Sequence, residues 1–427
     1  MKSKYIAWAI APIFLIGCSD YLETPPSVDY GENEVFATRA DAEKLLTTLY
    51  AEGMPYGFCM SSSNTDRRLL SSSTLASACD EGEDVATWAM GNAAWNAGNH
   101  TNTNFPWDED CRFYLRNHTM RVANLILKRI HEVPFDEGDP DFNKRTTGEA
   151  YFMRAMLLWE GVYRYGGMPI VRDVIDPTDF SQRPRNSFSD CIDSILIDCD
   201  RATQYLPDYY TDNAKLGRAT RIAALALKAR VLLYAASPLF NTSTPYMSFP
   251  GHENLIGYGN YDRERWKKAA DAAKAAIDAA LASGHYKIHN TGNPDKDYED
   301  VWTTPDNEEI ILGNMKYRNF KTTSRPLVAN LPTWAMNKAW GDAGLYVTFN
   351  FVQHYEKRAD GQPADWNMNG GDNLIDIYNS LDPRFKQTVA YHSSSWNDEI
   401  PFINFLDGLA LEQPCCEVLT IVSRSRF

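Results

Sequence analysis

Apolar residues recur at helical spacing in six segments of the first 290 residues, which predicts that this part of the chain is helical. Two segments open with a capping pattern, Thr38 with Asp41 and Ser187 with Asp190, in which a side chain satisfies backbone N–H groups that a helix start leaves unpaired. The predicted helices span residues 39–52, 115–131, 146–165, 187–206, 217–237 and 263–283.

The segment 146–165 is predicted to be the central packing helix. Thr146 with Glu149 reads as a capping box, so the helix is predicted to begin at Thr146. Its apolar residues occupy more than one face, which is typical of a buried helix. The glycine pair at 166–167 predicts the stop, because glycine enters the left-handed conformation that often ends a helix. Residues 169–171 are predicted to leave as an extended strand.

Two alanine-rich segments, 217–237 and 263–283, predict a helical hairpin, because small side chains let paired helices approach closely. Pro238 and Gly284 are predicted to terminate them. Such hairpins are the unit of tetratricopeptide-like arrays, although no strict 34-residue period is present. The residues predicted to face inward are Ile222, Leu225, Ala229, Leu232, Leu233 and Ala236 in the first segment, and Trp266, Ala269, Ala273, Ile277 and Ala280 in the second.

Beyond residue 290 the helical signal becomes weak, and short apolar runs such as 309–312 predict small strands. The predicted fold is therefore mainly α, with irregular tetratricopeptide-like helical hairpins, long loops and a few short strands. The 427 residues are enough for one large helical body.

The loop-rich stretch 53–110 has no periodicity, and loops of this length are normally functional or disordered. Within 83–108, three tryptophans stand among amides and hydroxyls. Indole rings stack on the C–H faces of sugars while amides bond sugar hydroxyls, so this loop is the predicted ligand surface. The same rings could instead attach the loop to the helical body. The candidate platforms are Trp88, Trp95 and Trp107, with Asn92, Asn96 and Asn104 as hydrogen-bonding partners.

A long ordered motif carries a resemblance to a known family. Gly148-Glu149-Ala150-Tyr151-Phe152-x-Arg154-Ala155, followed by Tyr163-x-Tyr165-Gly166-Gly167-x-Pro169, resembles the SusD/RagB family. The helix 217–237, the block 356–363 and the block 382–385 are similar to further family blocks, so the resemblance extends over about 18–391. It implies a nutrient-binding lipoprotein of the Bacteroidetes outer membrane that caps a TonB-dependent (SusC-like) transporter.

The first 18 residues read as an exported leader, with a positive start and an apolar run too short for an ordinary membrane span. The ending Leu15-Ile16-Gly17-Cys18 resembles a bacterial lipobox, in which Cys18 takes the lipid. The predicted divisions are 1–18 signal peptide, 19–37 tether, 38–290 helical body and 291–427 loop-rich C-terminal region. Because family members run on further, the chain is predicted to be truncated or frame-shifted after about Asn404, which would leave some core surface uncovered.

The formal net charge of −14 disfavours binding to nucleic acid or anionic lipid and fits a neutral or cationic ligand. Cys191 and Cys199 fall on one predicted helix, too far apart for a disulfide, and are predicted to be buried thiols. Cys59, Cys79 and Cys111 lie in loop-rich sequence and could pair in an oxidising compartment, but the sequence does not say which ones do.

No sequence signature of catalysis is present: there is no metalloprotease, Walker or nucleophile-elbow motif, so the protein is predicted not to be an enzyme. Paired carboxylates for glycoside cleavage leave no sequence spacing, so a surface glycoside hydrolase stays open. The segment 365–376 is similar in sequence to an EF-hand calcium loop, with Asp365, Asn367, Asn369 and Asp376 as weak metal candidates. Its last ligand is Asp rather than Glu and no helical pattern flanks it, which favours an ordinary turn. No cofactor other than this weak calcium candidate is predicted.

The sequence is therefore predicted to encode a lipid-anchored, cell-surface protein of the outer membrane that captures a nutrient and passes it to the transporter. Its ligand is predicted to be an oligosaccharide or glycan. The alternatives are a peptide ligand, a surface glycoside hydrolase, and a structural lid of the transporter without a ligand of its own.

Overall fold

A computed structural model gives the conformation of residues 31–54, 79–84, 97–99, 101, 113–176, 178–179, 181–304, 307–313, 345–366, 374–391, 394 and 422–423. This part of the chain is mainly α-helical, which confirms the predicted fold class. The helices are α1 Glu32–Val35, α2 Arg39–Gly53, α3 Phe113–Arg129, α4 Phe142–Tyr165, α5 Phe188–Tyr205, α6 Arg221–Ala236, α7 Glu264–Ala282, α8 Pro294–Thr303, α9 Phe349–Val352, α10 Leu374–Ser380 and α11 Pro383–Thr388. Short 3₁₀ turns occupy Ile130–Glu132, Asn213–Lys215 and Glu253–Leu255.

Helices α2 to α7 pack on one another in chain order, and α4 lies at the centre. Sixteen residues of α4 are buried, which confirms its predicted role as the central packing helix. One core cluster joins α2, α3 and the first half of α4, and a second joins the other half of α4 with α5 and α6. Full burial of a large apolar side chain contributes about 1.5–3 kcal/mol, so the burial of α4 makes a large favourable contribution to the free energy of folding.

The start of α4 differs from the prediction. The helix begins at Phe142, so Thr146 and Glu149 lie inside it and form no capping box. Phe142 is buried in the core, and Arg145 forms two hydrogen bonds with the Asp139 carboxylate. These tertiary contacts extend the helix by one turn beyond the local capping signal.

Other predicted helix ends are confirmed. The side chains of Thr38 and Ser187 accept hydrogen bonds from the backbone N–H groups of Asp41 and Asp190. Helix α4 ends at Gly166, whose φ of 76° lies in the left-handed region. Residues 169–171 do not form the predicted strand, because the chain there belongs to no sheet.

A buried ion pair ties the middle of α4 to α5. The Arg154 guanidinium donates from Nε and Nη2 to the Asp198 carboxylate at 2.8 and 2.7 Å, and from Nη1 to the Asn124 side chain on α3 at 3.0 Å. The Arg172 side chain approaches the same carboxylate at 3.2 Å. The side chains of Arg154 and Asp198 are only 6% and 2% exposed. Three helices are therefore held in register by one charged group.

Helices α6 and α7 form the predicted alanine-rich hairpin, but the inward faces are only partly as predicted. Ala269 and Ala276 of α7 are buried, whereas Trp266 and Ile277 are 39% and 58% exposed. Leu233 of α6 is 56% exposed as well, so its predicted inward position is wrong. The close approach of the two helices uses the small residues and leaves no room for these large ones.

Beyond α7 the described chain forms short helices and two small antiparallel sheets. Strand β1, Gly82–Asp84, pairs with β2, Leu345–Val347, and strand β3, Val389–Ala390, pairs with β4, Val422–Ser423. Residues 309–312 form a turn and bends rather than the predicted strand. The buried thiols are confirmed: Cys191 and Cys199 are both inaccessible to solvent and unpaired.

Candidate functional site

Of the predicted ligand loop 83–108, the structure describes residues 83–84, 97–99 and 101. Its six candidate residues Trp88, Asn92, Trp95, Asn96, Asn104 and Trp107 lie outside the described residues, as does Cys18. Their roles therefore stay predictions. The possible disulfides stay predictions too, because Cys59 and Cys111 lie outside as well.

The beginning of this loop is attached to a distant part of the chain. Strand β1 runs into the loop and pairs with β2, with Gly82 opposite Val347 and Asp84 opposite Leu345. The Thr348 backbone N–H donates to the Glu81 carbonyl oxygen at 3.1 Å, and the Thr348 hydroxyl donates to the Asp80 carbonyl oxygen. Nothing in the sequence indicates this pairing, because strands of three residues are too short to show an alternating pattern.

An aromatic cluster lies next to this stem. Its rings pack mainly against one another: Phe349 meets Trp366 edge to face at 5.2 Å, and Phe385 stacks on Tyr391 at 5.4 Å. Because the rings are occupied by one another, the cluster is a packing core that supports the stem rather than a free stacking platform. Its members are Phe349, Phe351, Tyr355, Trp366, Tyr378, Phe385 and Tyr391.

Two of the four weak metal candidates, Asp365 and Asp376, lie among the described residues. The Asp365 side chain is 97% exposed and lies 3.5 Å from the Lys357 ammonium group. Asp376 lies in the first turn of α10, so a helix begins at the end of the EF-hand-like segment 365–376. The prediction that no helix flanks this segment is therefore wrong. Asn367 and Asn369 lie outside the described residues. Within the described part of the chain, no group of three or more His, Cys, Asp or Glu side chains is placed to hold a metal ion.

A buried carboxylate is the group that most resembles a catalytic acid. The Glu149 side chain is fully buried, 3.2 Å from the Arg218 guanidinium and 3.3 Å from that of Arg145. Burial raises the pKa of Glu149, and Arg218, the Tyr50 hydroxyl and Arg145 oppose that rise. A raised pKa is typical of a general acid, but a polysaccharide cannot reach a group with no exposed surface. Glu149 therefore joins α2, α4 and the segment before α6 in a structural ion-pair network.

A small cavity lies between Tyr209 and residues 310–313. The rings of Tyr209 and His285 stack at its edge, 4.7 Å apart and nearly parallel. Its volume of about 40 Å³ compares with roughly 300–1,000 Å³ for pockets that hold small molecules. The cavity has room for water but not for a sugar ring, so it is not the ligand site.

The residues of the sequence motif at 148–167 have structural roles. A side-chain carbon at Gly148 would meet Leu206 at 2.8 Å, so only glycine lets α5 end against α4. The backbone N–H of Gly167 donates to the Leu255 carbonyl oxygen at 2.6 Å, where the chain beyond α6 passes closely over the end of α4. Among the described residues, no helix is long and apolar enough to cross a membrane.

A family model named SusD-like and described as "starch-binding associating with outer membrane" matches residues 20–233, half of the chain. No curated protein matches the chain.

Several solved structures share the fold. A SusD-like protein from Bacteroides fragilis NCTC 9343 superposes with a TM-score of 0.65 at 24% identity over 92% of this chain. A putative sugar binding protein from Bacteroides vulgatus ATCC 8482 gives 0.54 at 17% over 86%, and a SusD-like carbohydrate binding protein from B. fragilis NCTC 9343 gives 0.55 at 16% over 84%. The chain spans 69%, 67% and 61% of the lengths of these three chains. Together with the family model, the shared helical fold shows that this chain belongs to the SusD-like family.

Proposed function

We propose that this protein captures a glycan at the cell surface and delivers it, chemically unaltered, to a TonB-dependent outer-membrane transporter. The observation that carries the proposal is membership of a family described as starch-binding and associated with the outer membrane. Two of the structures that share the fold are named as sugar or carbohydrate binding proteins, which favours a glycan over a peptide.

The geometry supports a binding role for the loop 83–108. Its stem is attached through β1 to β2 and Thr348, and the aromatic cluster beside the stem is tightly packed. An attached stem leaves less of the loop to be ordered when a ligand binds, which lowers the entropy cost of binding. The −14 net charge fits a neutral glycan better than a polyanion.

The first test is native affinity electrophoresis of the soluble form beginning at Ser19, run through gels that contain different neutral polysaccharides. We expect one glycan to retard the wild type and a loop variant, Trp88→Ala, Trp95→Ala or Trp107→Ala, to lose that retardation. Trp266→Ala is the matched control, because Trp266 is 39% exposed on α7, away from the loop in sequence. Circular dichroism establishes that each variant is folded. If no glycan retards the folded wild type, glycan capture is wrong.

The anchor and the partner need separate measurements. We propose that Cys18 carries the lipid, so Cys18→Ser is expected to move the protein from the outer-membrane fraction to the soluble fraction. Delivery is expected to require a TonB-dependent transporter that co-purifies with the wild type. Recovery of Cys18→Ser in the membrane fraction, with the same lipid label as the wild type, would rule out this anchor.

A further inference from the structure

The first part of the segment between α6 and α7, residues 237–252, is an uncharged surface loop. Residues 237–252 contain no Asp, Glu, Lys or Arg, whereas 23% of the whole chain is charged. Their side chains are instead aromatic, apolar, hydroxyl or amide groups. The tryptophan loop 83–108, whose charged residues are Glu83, Asp84 and Asp108, likewise combines aromatic rings with hydroxyl and amide groups.

The tip of this loop exposes large rings and a thioether. Tyr246 is 89% exposed, Met247 is 70% exposed and Phe249 is 38% exposed. The Phe249 ring lies 5.2 Å from the His252 ring and is tilted against it by 49°. Single exposed apolar residues need no explanation, but three within four positions form a patch that is typical of an interaction site.

The base of the loop is held firmly. Asn241 is 2% exposed, and its side-chain amide donates to the Asp262 carbonyl oxygen at 2.9 Å while its oxygen accepts from the Asp262 backbone N–H at 2.8 Å. The Phe240 ring stacks on Phe188 of α5 at 4.4 Å. At the far end, the Leu255 carbonyl oxygen accepts from Gly167. The exposed tip therefore projects from a fixed base, so binding costs less ordering entropy.

We propose that Tyr246 and Phe249 form a second contact surface for a neutral glycan. This inference rests on the proposed function and adds a site to it. The exposed Tyr246 ring offers a flat face for sugar C–H groups, and the neighbouring hydroxyls of Thr244 and Ser248 are suited to sugar hydroxyls. The lack of cations disfavours an anionic lipid surface, and protein interfaces normally carry Arg and a charged or polar rim.

Two measurements test the site on the full soluble chain with the polysaccharide that retards the wild type. Tyr246→Ala and Phe249→Ala are each expected to weaken binding by about three- to tenfold, as loss of one aromatic contact does. Tyr261→Ala is the matched control, since Tyr261 is 62% exposed just before α7, beside the charged residues 262–265. In hydroxyl-radical footprinting, the polysaccharide should protect Tyr246 and Met247 from oxidation but leave Tyr261 unprotected.

The outcomes separate this inference from the proposed function. If the wild type binds but both variants bind equally well and Tyr246 is not protected, the second surface is wrong while glycan capture stands. If folded variants of all three loop tryptophans still bind and Tyr246→Ala does not, the second surface stands and the tryptophan loop is wrong. Protection of Tyr246 that rises with protein concentration without any glycan would show a protein contact and overturn the inference. Failure of the folded wild type to bind any glycan overturns both.

Discussion

The buried pair of Arg154 and Asp198 gives the sharpest prediction about stability. Arg154→Met removes three hydrogen bonds, two to the Asp198 carboxylate and one to Asn124. It leaves Asp198, whose side chain is 2% exposed, with Arg172 as its only described cationic partner, at 3.2 Å. Loss of one partner of a buried pair costs about 3–5 kcal/mol, because the remaining charge stays desolvated. We expect a decrease near the lower end of that range in the free energy of unfolding, because Arg172 still compensates part of the Asp198 charge.

The double variant Arg154→Met/Asp198→Leu separates the cost of leaving a buried charge without its partner from the cost of losing the hydrogen bonds. It removes both charges, so the penalty for an unpaired buried charge disappears. We therefore expect the double variant to be more stable than either single variant. The Asn124 side chain still donates to the carbonyl oxygens of Val171 and Asp173, which limits the damage on α3.

The assay is urea unfolding followed by circular dichroism, with stability compared where the dependence on urea concentration is unchanged. Lys274→Met is the control for an ion pair on the surface: Lys274 and Asp278 are 2.6 Å apart but 74% and 59% exposed, so its loss should cost less than about 1 kcal/mol. If Arg154→Met is as stable as Lys274→Met, or if the double variant is as unstable as the two single losses added together, the reasoning about buried charge is wrong.

Two further predictions concern pH and a backbone contact. The hydrogen bonds from Arg145 lower the pKa of Asp139, so the stability from this pair is complete above the unfolded pKa of about 3.9 and is lost as pH falls through the lower folded pKa. In urea unfolding at pH 2 to 7, the stability difference between wild type and Asp139→Asn should shrink towards the acid end; a constant difference would contradict this. Gly166→Ala is expected to cost more than the roughly 1–2 kcal/mol of a left-handed alanine, because φ of 76° with ψ of −144° is a conformation that essentially only glycine adopts, and the new carbon would also overlap the Leu255 carbonyl oxygen. Gly251→Ala, with φ of 78° and open space around it, should cost only that penalty, and equal losses would show that the overlap is relieved.

The existence of helices α2 to α7 followed from local patterns, but the start of α4 did not, and neither did the short helices α1 and α8 to α11. Thr146 and Glu149 match a capping box in sequence, and nothing local shows that Arg145 will pair with Asp139 or that Glu149 will meet Arg218. The second of these contacts joins residues 69 positions apart in the chain. A capping signal is worth about 0.5–2 kcal/mol, and such tertiary pairing overrides it.

The inward face of α7 shows a second limit of periodicity. The helix carries a large apolar stripe through Trp266 and Ile277 and a small one through Ala269 and Ala276. Hydrophobicity alone favours the large stripe, but the buried residues of α7 are Ala269 and Ala276, and α6, which contacts α7, also has alanines among its buried residues. The spacing of apolar residues shows where the stripes lie on the helix, but the shape of the neighbouring helix decides which stripe is buried.

The candidate site is predictable only in part, because its support also depends on contacts between residues that are far apart in sequence. Composition identified the tryptophan loop, but the support for its stem comes from Thr348 and β2, which are far away in sequence and have no recognisable pattern. The loop 237–252 has a readable signal, its lack of charge. What the sequence could not show is that Tyr246 is exposed while Phe240, six residues earlier, is buried.

The motif that carries the family resemblance determines the scaffold and not the ligand. Gly148 makes room for Leu206, Glu149 and Arg154 form buried ion pairs, and Gly166 lets Leu255 pass over the end of α4. None of these groups is available to a ligand. We therefore expect chains that share the motif to share the helical support, and their ligand specificity to depend on loops that the motif does not constrain. It follows that substitutions in the motif should change stability with little effect on which glycan is bound, and substitutions in the tryptophan loop 83–108 and in the loop 237–252 should do the reverse.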